Sequence, residues 1–480
     1  MIYTLQTINA KTYSGDLVFL YGDEAASRDL PLGKKEIELL TARRQDKKDQ
    51  LLVFDRLPHH IYVLSFDSER EASLSQEMLR RKAMDLLRRL EADKVDNIAL
   101  TGEGVLPEEV AAFVEGLTLA DYSFDRYRSA DVWHLNTLVI DSLYLKPEEL
   151  EANQRLWNRI HWCREWVNLP VQDLNASSFA DELASIAADL KGVSCTVMDK
   201  KKIESLRMGG LMGVNRGSVD EPRFVVLEYK GSKQPPIALV GKGIMFDTGG
   251  LNIKPGSYME EMKSDMAGAA TMASVLFAAA DNQLPVHLVA LLPMTDNRPG
   301  YNALAPDDIL TMYDGSTVEV VNTDAEGRLI LADAIAYAQK NYNPALIITA
   351  ATLTGAAVRA ISTFGIAAMQ VNADNPYTLL SLVGNQVYER LVQFPMWDEY
   401  DEMIKSKVAD LRNSTASPQA GTITAGKFLA HFAHGTPFIH LDIAGVAYFS
   451  KPQHYYRFGA SGYAIRLLYA FLQMQDMIKK

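Results

Sequence analysis

Four carboxylates, Asp247, Asp265, Asp324 and Glu326, stand in two irregular segments of a chain that is otherwise regularly patterned, and carboxylates are hard oxygen ligands. Asp247 and Asp265 lie in VGKGIMFDTGGLNIKPGSYMEEMKSDMAGAA (240–270), together with Lys242 and Lys254 and among Gly and Pro rather than on a regular element. Asp324 and Glu326 lie in NTDAEGRL (322–329), between a short apolar run and a helical pattern. Taken singly, each acid is explained as well by capping a turn. Converging at one place they would repel strongly unless cations stood among them, so the combination points to metal binding. The histidines offer a competing reading, because His431 and His434 in HFAH have helical spacing for a zinc pair. No HExxH pattern accompanies them, and they read as packing or surface residues, as do His59 and His60. His440 reads as structural.

The elements that must position these acids follow from periodicity. Beyond residue 170, apolar runs at 224–227, 237–240, 286–292, 318–321 and 345–349 alternate with helical patterns at 267–280 and 328–340. Such alternation predicts a mainly parallel sheet flanked by helices, with ligands gathered outside the carboxyl ends of its strands. The run 318–321 is expected to be one of those strands, placing Asp324 and Glu326 at its carboxyl end. Residues 1–150 mix short apolar runs (16–21, 61–66, 97–100) with a charged helix over 75–93 and read as a smaller N-terminal α/β domain. A linking helix is expected over 151–170, and a larger catalytic domain over 171–480.

A chain of 480 residues, 48% of them hydrophobic, suffices for two or three domains. The formal charge of −12 argues against a footprint for nucleic acid or anionic lipid. The basic cluster Arg80, Arg81, Lys82, Arg88 and Arg89 falls at helical spacing and reads as a solvated face. Two cysteines, Cys163 and Cys195, are too few for a disulfide framework and fit a reducing compartment. The start of the chain lacks the features of a secretory signal. The most apolar stretches (267–280, 345–358) fall short of the ~20 residues a membrane span requires. A cytoplasmic location without membrane contact is expected.

VGKGIMFDTGG, IKPG, EEMKSDMAGAA, NTDAEGRL and AATLTGA, followed by ADLRN and HLDIAG, closely resemble the leucine aminopeptidase (cytosol aminopeptidase) family, over a region from about residue 168 to the C-terminus. The first 150 residues carry no comparable motif. The resemblance implies a metal-dependent aminopeptidase that releases N-terminal residues, leucine and other apolar ones favoured, from peptides with a free N-terminus. It implies two divalent ions per subunit, Mn or Zn foremost, on Lys242, Asp247, Asp265, Asp324 and Glu326. Asp247 and Glu326 would bridge, Asp324 would complete one site, and Asp265 with Lys242 the other. Two such ions share and activate a water. As a ligand Lys242 must be neutral. Lys254 would stay protonated to stabilise the oxyanion, and Arg328 would hold a small anion such as bicarbonate. Met262, Thr352 and Gly355 would form the side-chain pocket, and a homohexamer is implied. Two other classes stay open: phosphoester hydrolysis, which commonly adds His ligands and basic clamps, and a DNA-binding or structural role on the same scaffold.

Overall fold

Fully apolar runs bounded by Gly, Pro or Asp become strands here because burial on both faces removes the need for alternation. The computed structural model describes residues 1–22, 30–415 and 419–474. The described chain clusters into two units, Met1–Asn158 with Phe449–Phe458, and the other described residues. The break falls inside the helix Pro147–Asn168.

The first unit holds a six-stranded sheet made of β1 (Ile2–Gln6), β2 (Leu17–Tyr21), β3 (Gln50–Arg56), β4 (His59–Ser65), β5 (Asn97–Glu103) and β6 (Thr137–Asp141), in the order β1-β6-β5-β2-β4-β3. All pairs are parallel except β3 with β4. The apolar runs read from sequence are β2, β4 and β5. The edge strands β1 and β3 are half-exposed and escape a search for apolar runs. On the helix Ala72–Asp93 the basic residues are largely neutralised. Arg81 pairs with Glu77 (2.8 Å), Lys82 with Asp85 (2.8 Å), Arg89 with Asp93 (2.7 Å) and Arg80 with Glu115 (2.5 Å).

The second unit is built on a nine-stranded sheet. Its strands are β7 (Val193–Met198), β8 (Arg223–Lys230), β9 (Ile237–Gly241), β10 (Gly243–Asp247), β11 (His287–Asn297), β14 (Leu346–Ala351), β15 (Ile366–Val371), β16 (Leu391–Gln393) and β18 (Phe438–Asp442). The order is β16-β15-β18-β14-β9-β11-β8-β7, with β10 pairing on β11. The centre, β18-β14-β9-β11, is parallel, and antiparallel pairs occur only toward the two edges. Val240, Val289, Leu291 and Ile347 of the sheet pack with Leu329, Ile330 and Ile335 of the helix Gly327–Tyr342 in one buried core. The helix Ala267–Asp281 is buried along nearly its whole length, which its Ala and Gly content allows.

One expectation is corrected. The run 318–321 is not a strand of the main sheet: β13 (Thr317–Glu319) joins a separate small sheet with β12 (Ile309–Thr311) and β17 (Leu411–Arg412). The turn between β12 and β13, closed by Met312 N–H on Ser316 O (2.8 Å), pairs the run locally, and a strand of three residues, Thr-Val-Glu, carries no information about which sheet will take it. Among the described residues no helix is long and apolar enough to cross a membrane.

Candidate metal centre

Lys242 sits between β9 and β10, clamped through its backbone. Its N–H donates to Ala350 O on β14 (3.1 Å), and its carbonyl accepts from Ala269 N at the start of the helix Ala267–Asp281 (2.8 Å). That approach requires glycine at 241 and 268, where a Cβ would meet Gly268 O at 2.5 Å and Ala350 O at 2.2 Å. The side chain then runs past Gly327, where a Cβ would stand 2.4 Å from Lys242 Cε. Its Nζ reaches Asp265 Oδ2 (2.8 Å), Glu326 Oε1 (2.9 Å) and Thr352 O (3.1 Å).

Asp247 ends β10, beside Asn297 at the end of β11, its partner in register. Asp247 Oδ1 accepts from Gly249 N (2.8 Å) and Asn297 Nδ2 (2.8 Å), while Oδ2 lies 2.7 Å from Lys254 Nζ. The same Nζ is 2.6 Å from Asp324 Oδ1. Asp265 lies in the 3-10 turn Met262–Met266, and its Oδ1 accepts from Thr352 Oγ1 (2.6 Å). Glu326 caps the helix Gly327–Tyr342, and its Oε2 is buried with no hydrogen-bond partner. Ligand atoms of Asp247, Asp265 and Glu326 lie within 4.8 Å of one another, and among the described residues no other His, Cys, Asp or Glu cluster of three or more does so.

The electrostatics follow from that crowding. Burial raises the proton affinity of Asp265, Asp324 and Glu326, and Asp247 adds to it in each case. Burial acts to lower Lys242, but Asp265, Glu326 and Asp247 outweigh it and hold the ammonium charged. Lys254 behaves alike among Asp247, Glu326 and Asp324. A neutral Lys242, which a ligand role requires, therefore depends on cations standing among the same carboxylates. Carboxylate oxygens with one amine suit hard or borderline divalent cations, and the bare, buried Glu326 Oε2 is the atom such a cation would satisfy.

The expected site residues are distributed as follows. Lys242, Asp265, Glu326 and Thr352 form one bonded set and Asp247, Lys254 and Asp324 a second, and the two meet where ligand atoms of Asp247, Asp265 and Glu326 lie within 4.8 Å of one another. Arg328 turns elsewhere: Nη1 donates to Asn413 O (2.7 Å), Nε is buried without a partner, and burial lowers its pKa to about 10. Met262 opens the turn that carries Asp265. Gly355 opens the helix Gly355–Ile361 three residues after Thr352, where an added Cβ would meet only Arg359 Nη1, at 3.4 Å. The histidine pair is not a metal site among the described residues, since His434 Nε2 pairs with Asp314 Oδ2 (3.0 Å).

Sequence reasoning missed Asn297, Thr323 and Asn413. Asn297 Nδ2 bridges Asp247 Oδ1 and Thr323 O (3.0 Å), and Asn413 Oδ1 accepts from Val321 N (2.8 Å), steadying the approach to Asp324. The polar residues at the end of the apolar run 286–294 were the available signal for Asn297, because strand carboxyl ends are where such a centre collects.

Comparison with known proteins shows the family. The profile described as the cytosol aminopeptidase family, catalytic domain, matches residues 161–469, and that of the family's N-terminal domain matches 44–131. A probable cytosol aminopeptidase of Chlorobaculum tepidum is 43% identical over 418 residues, covering 83% of this chain and 82% of its own. Another, from Chlorobaculum parvum, is 37% identical over 98% of this chain and 96% of its own. Among solved structures, a mutant of tomato leucine aminopeptidase superposes with a TM-score of 0.86 at 26% identity, covering 99% of this chain and 97% of that one. The bottromycin maturation enzyme BotP in complex with Mn superposes with a TM-score of 0.84 at 28% identity, over 96% and 99%.

Proposed function

The chain belongs to the cytosol aminopeptidase family, and on that footing we propose that it is a metal-dependent aminopeptidase releasing apolar N-terminal residues, leucine foremost, from peptides with a free N-terminus. The observation that carries the reading is the convergence of Asp247, Asp265 and Glu326 within 4.8 Å around the unpartnered Glu326 Oε2. Two divalent cations per subunit, Mn or Zn, would be held by Lys242, Asp247, Asp265, Asp324 and Glu326, with Asp247 and Glu326 between them. The Mn in BotP supports the choice. When bound, such a pair supplies an activated water and polarises the substrate carbonyl.

The chain's own residues do the rest. Lys254, protonated between Asp247 and Asp324, is the donor for oxygen charge that develops at the scissile carbonyl. Thr352 orients Asp265 through its hydroxyl, and with Met262 and Gly355 it borders the pocket for the first side chain. Arg328, with Nε unpaired, is the residue suited to a small anion such as bicarbonate. Chemistry would be confined to the part from residue 171 on, with 151–170 as link and 1–150 as an appended domain. Family resemblance supports a homohexamer in the cytoplasm. The DNA-binding or structural alternative is favoured by no observation here, since four of the five clustered basic residues of the first unit are in ion pairs.

The test is hydrolysis of leucinamide and N-acetyl-leucinamide by metal-stripped protein reloaded with Mn or Zn. Turnover of the first with negligible turnover of the second is expected, because acetylation removes the amine that anchors the substrate. Equal kcat/KM for the two would overturn the exopeptidase reading.

A further inference from the structure

The parallel strands β14 and β18 end level, with Ala351 opposite Asp442 and Ile443 N–H donating to Ala351 O (2.8 Å). Past that point β14 passes into Thr352, Leu353 and Thr354, which lead to the helix Gly355–Ile361. Thr352 touches the metal centre twice: its carbonyl accepts from Lys242 Nζ (3.1 Å), and its hydroxyl donates to Asp265 Oδ1 (2.6 Å). The next two residues are held by Asp442, a carboxylate only 1% exposed. Asp442 Oδ1 accepts from Leu353 N (3.2 Å) and Ala444 N (3.2 Å), and Oδ2 accepts from Thr354 Oγ1 (2.6 Å).

These bonds have a fixed polarity. An ionised carboxylate only accepts, so Thr354 donates its one hydroxyl hydrogen to Asp442 and accepts from Thr422 Oγ1 (2.9 Å) and from Ala357 N (3.1 Å). Thr354, Thr422 and Asp442 are all buried, so water is not at hand to replace a lost partner. A shift of Thr352 would carry Leu353 N–H away from a buried, charged acceptor, and a bond of that kind is among the more costly to leave unmade. Asp442 also acts by its charge, because with Glu326 it helps keep the Arg328 guanidinium protonated.

We propose that Asp442 is a positioning residue for the metal centre: by holding Leu353 and Thr354 it fixes Thr352 between Lys242 and Asp265, and so sets the affinity for the cation that those two residues would hold. The inference rests on the metal-dependent reading above. Position and charge are separable by asparagine. In Asp442→Asn the amide oxygen can accept from Leu353 N and Ala444 N while the NH2 group donates to Thr354 Oγ1, whose own hydrogen turns to Thr422, so the turn keeps its bonds and only the charge is lost.

The test is calorimetric titration of metal-stripped, full-length protein with Mn, with urea unfolding of each variant to report that it is folded. Asp442→Ala should weaken Mn binding by roughly tenfold, the low end for losing a group that supports a ligand from behind, while Asp442→Asn should stay within about twofold of wild type. Thr354→Val, which can neither donate to Asp442 nor accept from Ala357, should weaken binding as Asp442→Ala does, and Thr354→Ser should restore it. If Asp442→Ala does not fold, the contrast between Thr354→Val and Thr354→Ser decides alone. Wild-type Mn affinity in folded Asp442→Ala or Thr354→Val would reduce Asp442 to a purely structural role and overturn the proposal. Asp442→Asn as weak as Asp442→Ala would overturn it too, by assigning the effect to charge. A wild type that binds no Mn would instead overturn the metal-dependent reading, and this inference with it.

Discussion

Replacing Asn297 by Ala tests whether the centre depends on a residue that ligates nothing. Asn297 is 3% exposed, and its Nδ2 donates to Asp247 Oδ1 at 2.8 Å and to Thr323 O at 3.0 Å. Without it Thr323 O loses that donor in a buried place, whereas Asp247 Oδ1 keeps Gly249 N–H at 2.8 Å. An orphaned buried acceptor costs about 1–3 kcal/mol and a lost bond to a charged group about 1.5–3 kcal/mol, so the variant should be less stable by about 2.5–6 kcal/mol. Asp247 is also freed to rotate, and losing the group that orients a ligand typically weakens metal affinity by about 10–100-fold. Urea unfolding gives the first quantity and titration of stripped protein with Mn the second. An unchanged unfolding midpoint together with unchanged Mn affinity would refute the argument that this amide holds the two ligand segments together.

Lys254→Ala should leave metal content near normal and lower kcat by about 10²–10³, the scale of losing one oxyanion donor, and metal loss with turnover retained would assign it the role given to Lys242. Glu326→Gln should abolish activity and lower metal content, measured by elemental analysis; two tightly held metals per chain would disprove its place between them. Gly327→Ala drives a methyl to 2.4 Å from Lys242 Cε, so denaturant unfolding should show a loss of about 1–3 kcal/mol, the usual cost of overpacking, with activity impaired as Lys242 shifts. His440 is held neutral by burial, which lowers its pKa from 6.5 to about 3. The unfolded chain therefore binds a proton the folded one refuses, and stability present above pH 6.5 is lost as pH falls toward 3. His440→Gln should flatten that part of the stability–pH curve by about 1.4 kcal/mol per pH unit, and an unaltered slope would show that His440 titrates normally.

The acids of the centre were legible only in combination, since singly each could cap a turn, and the roles of Lys242 and Lys254 came with the family resemblance of the motifs that hold them. Long apolar runs such as β9 and β11 were legible because burial on both faces leaves a continuous signature. Asn297 and Asn413 were not, since one buried amide looks like any surface Asn until its partners are known. The three-residue β13, Thr-Val-Glu, overlaps the expected run 318–321 but could not be assigned to a sheet, because pairing partners are chosen by tertiary contacts absent from a local window. Arg328 entered the site only through the family resemblance of NTDAEGRL. The direction of its guanidinium, toward Asn413 O, depends on a segment 85 residues away.

That division between two sheets has a kinetic side. Asp247 hangs from the nine-stranded sheet, whereas Asp324 and Glu326 follow a strand of the small one, and the two segments meet through Asn297, Thr323 and the loop they pin. Neither sheet alone contains the ligand set, so a chain that has formed both without docking them has secondary structure but no centre. During refolding, the capacity to bind a divalent ion should thus arise after most of the circular dichroism signal, in step with burial of the docking seam. Added ion would favour the docked form by mass action, acting on the last stage of assembly rather than on its nucleus.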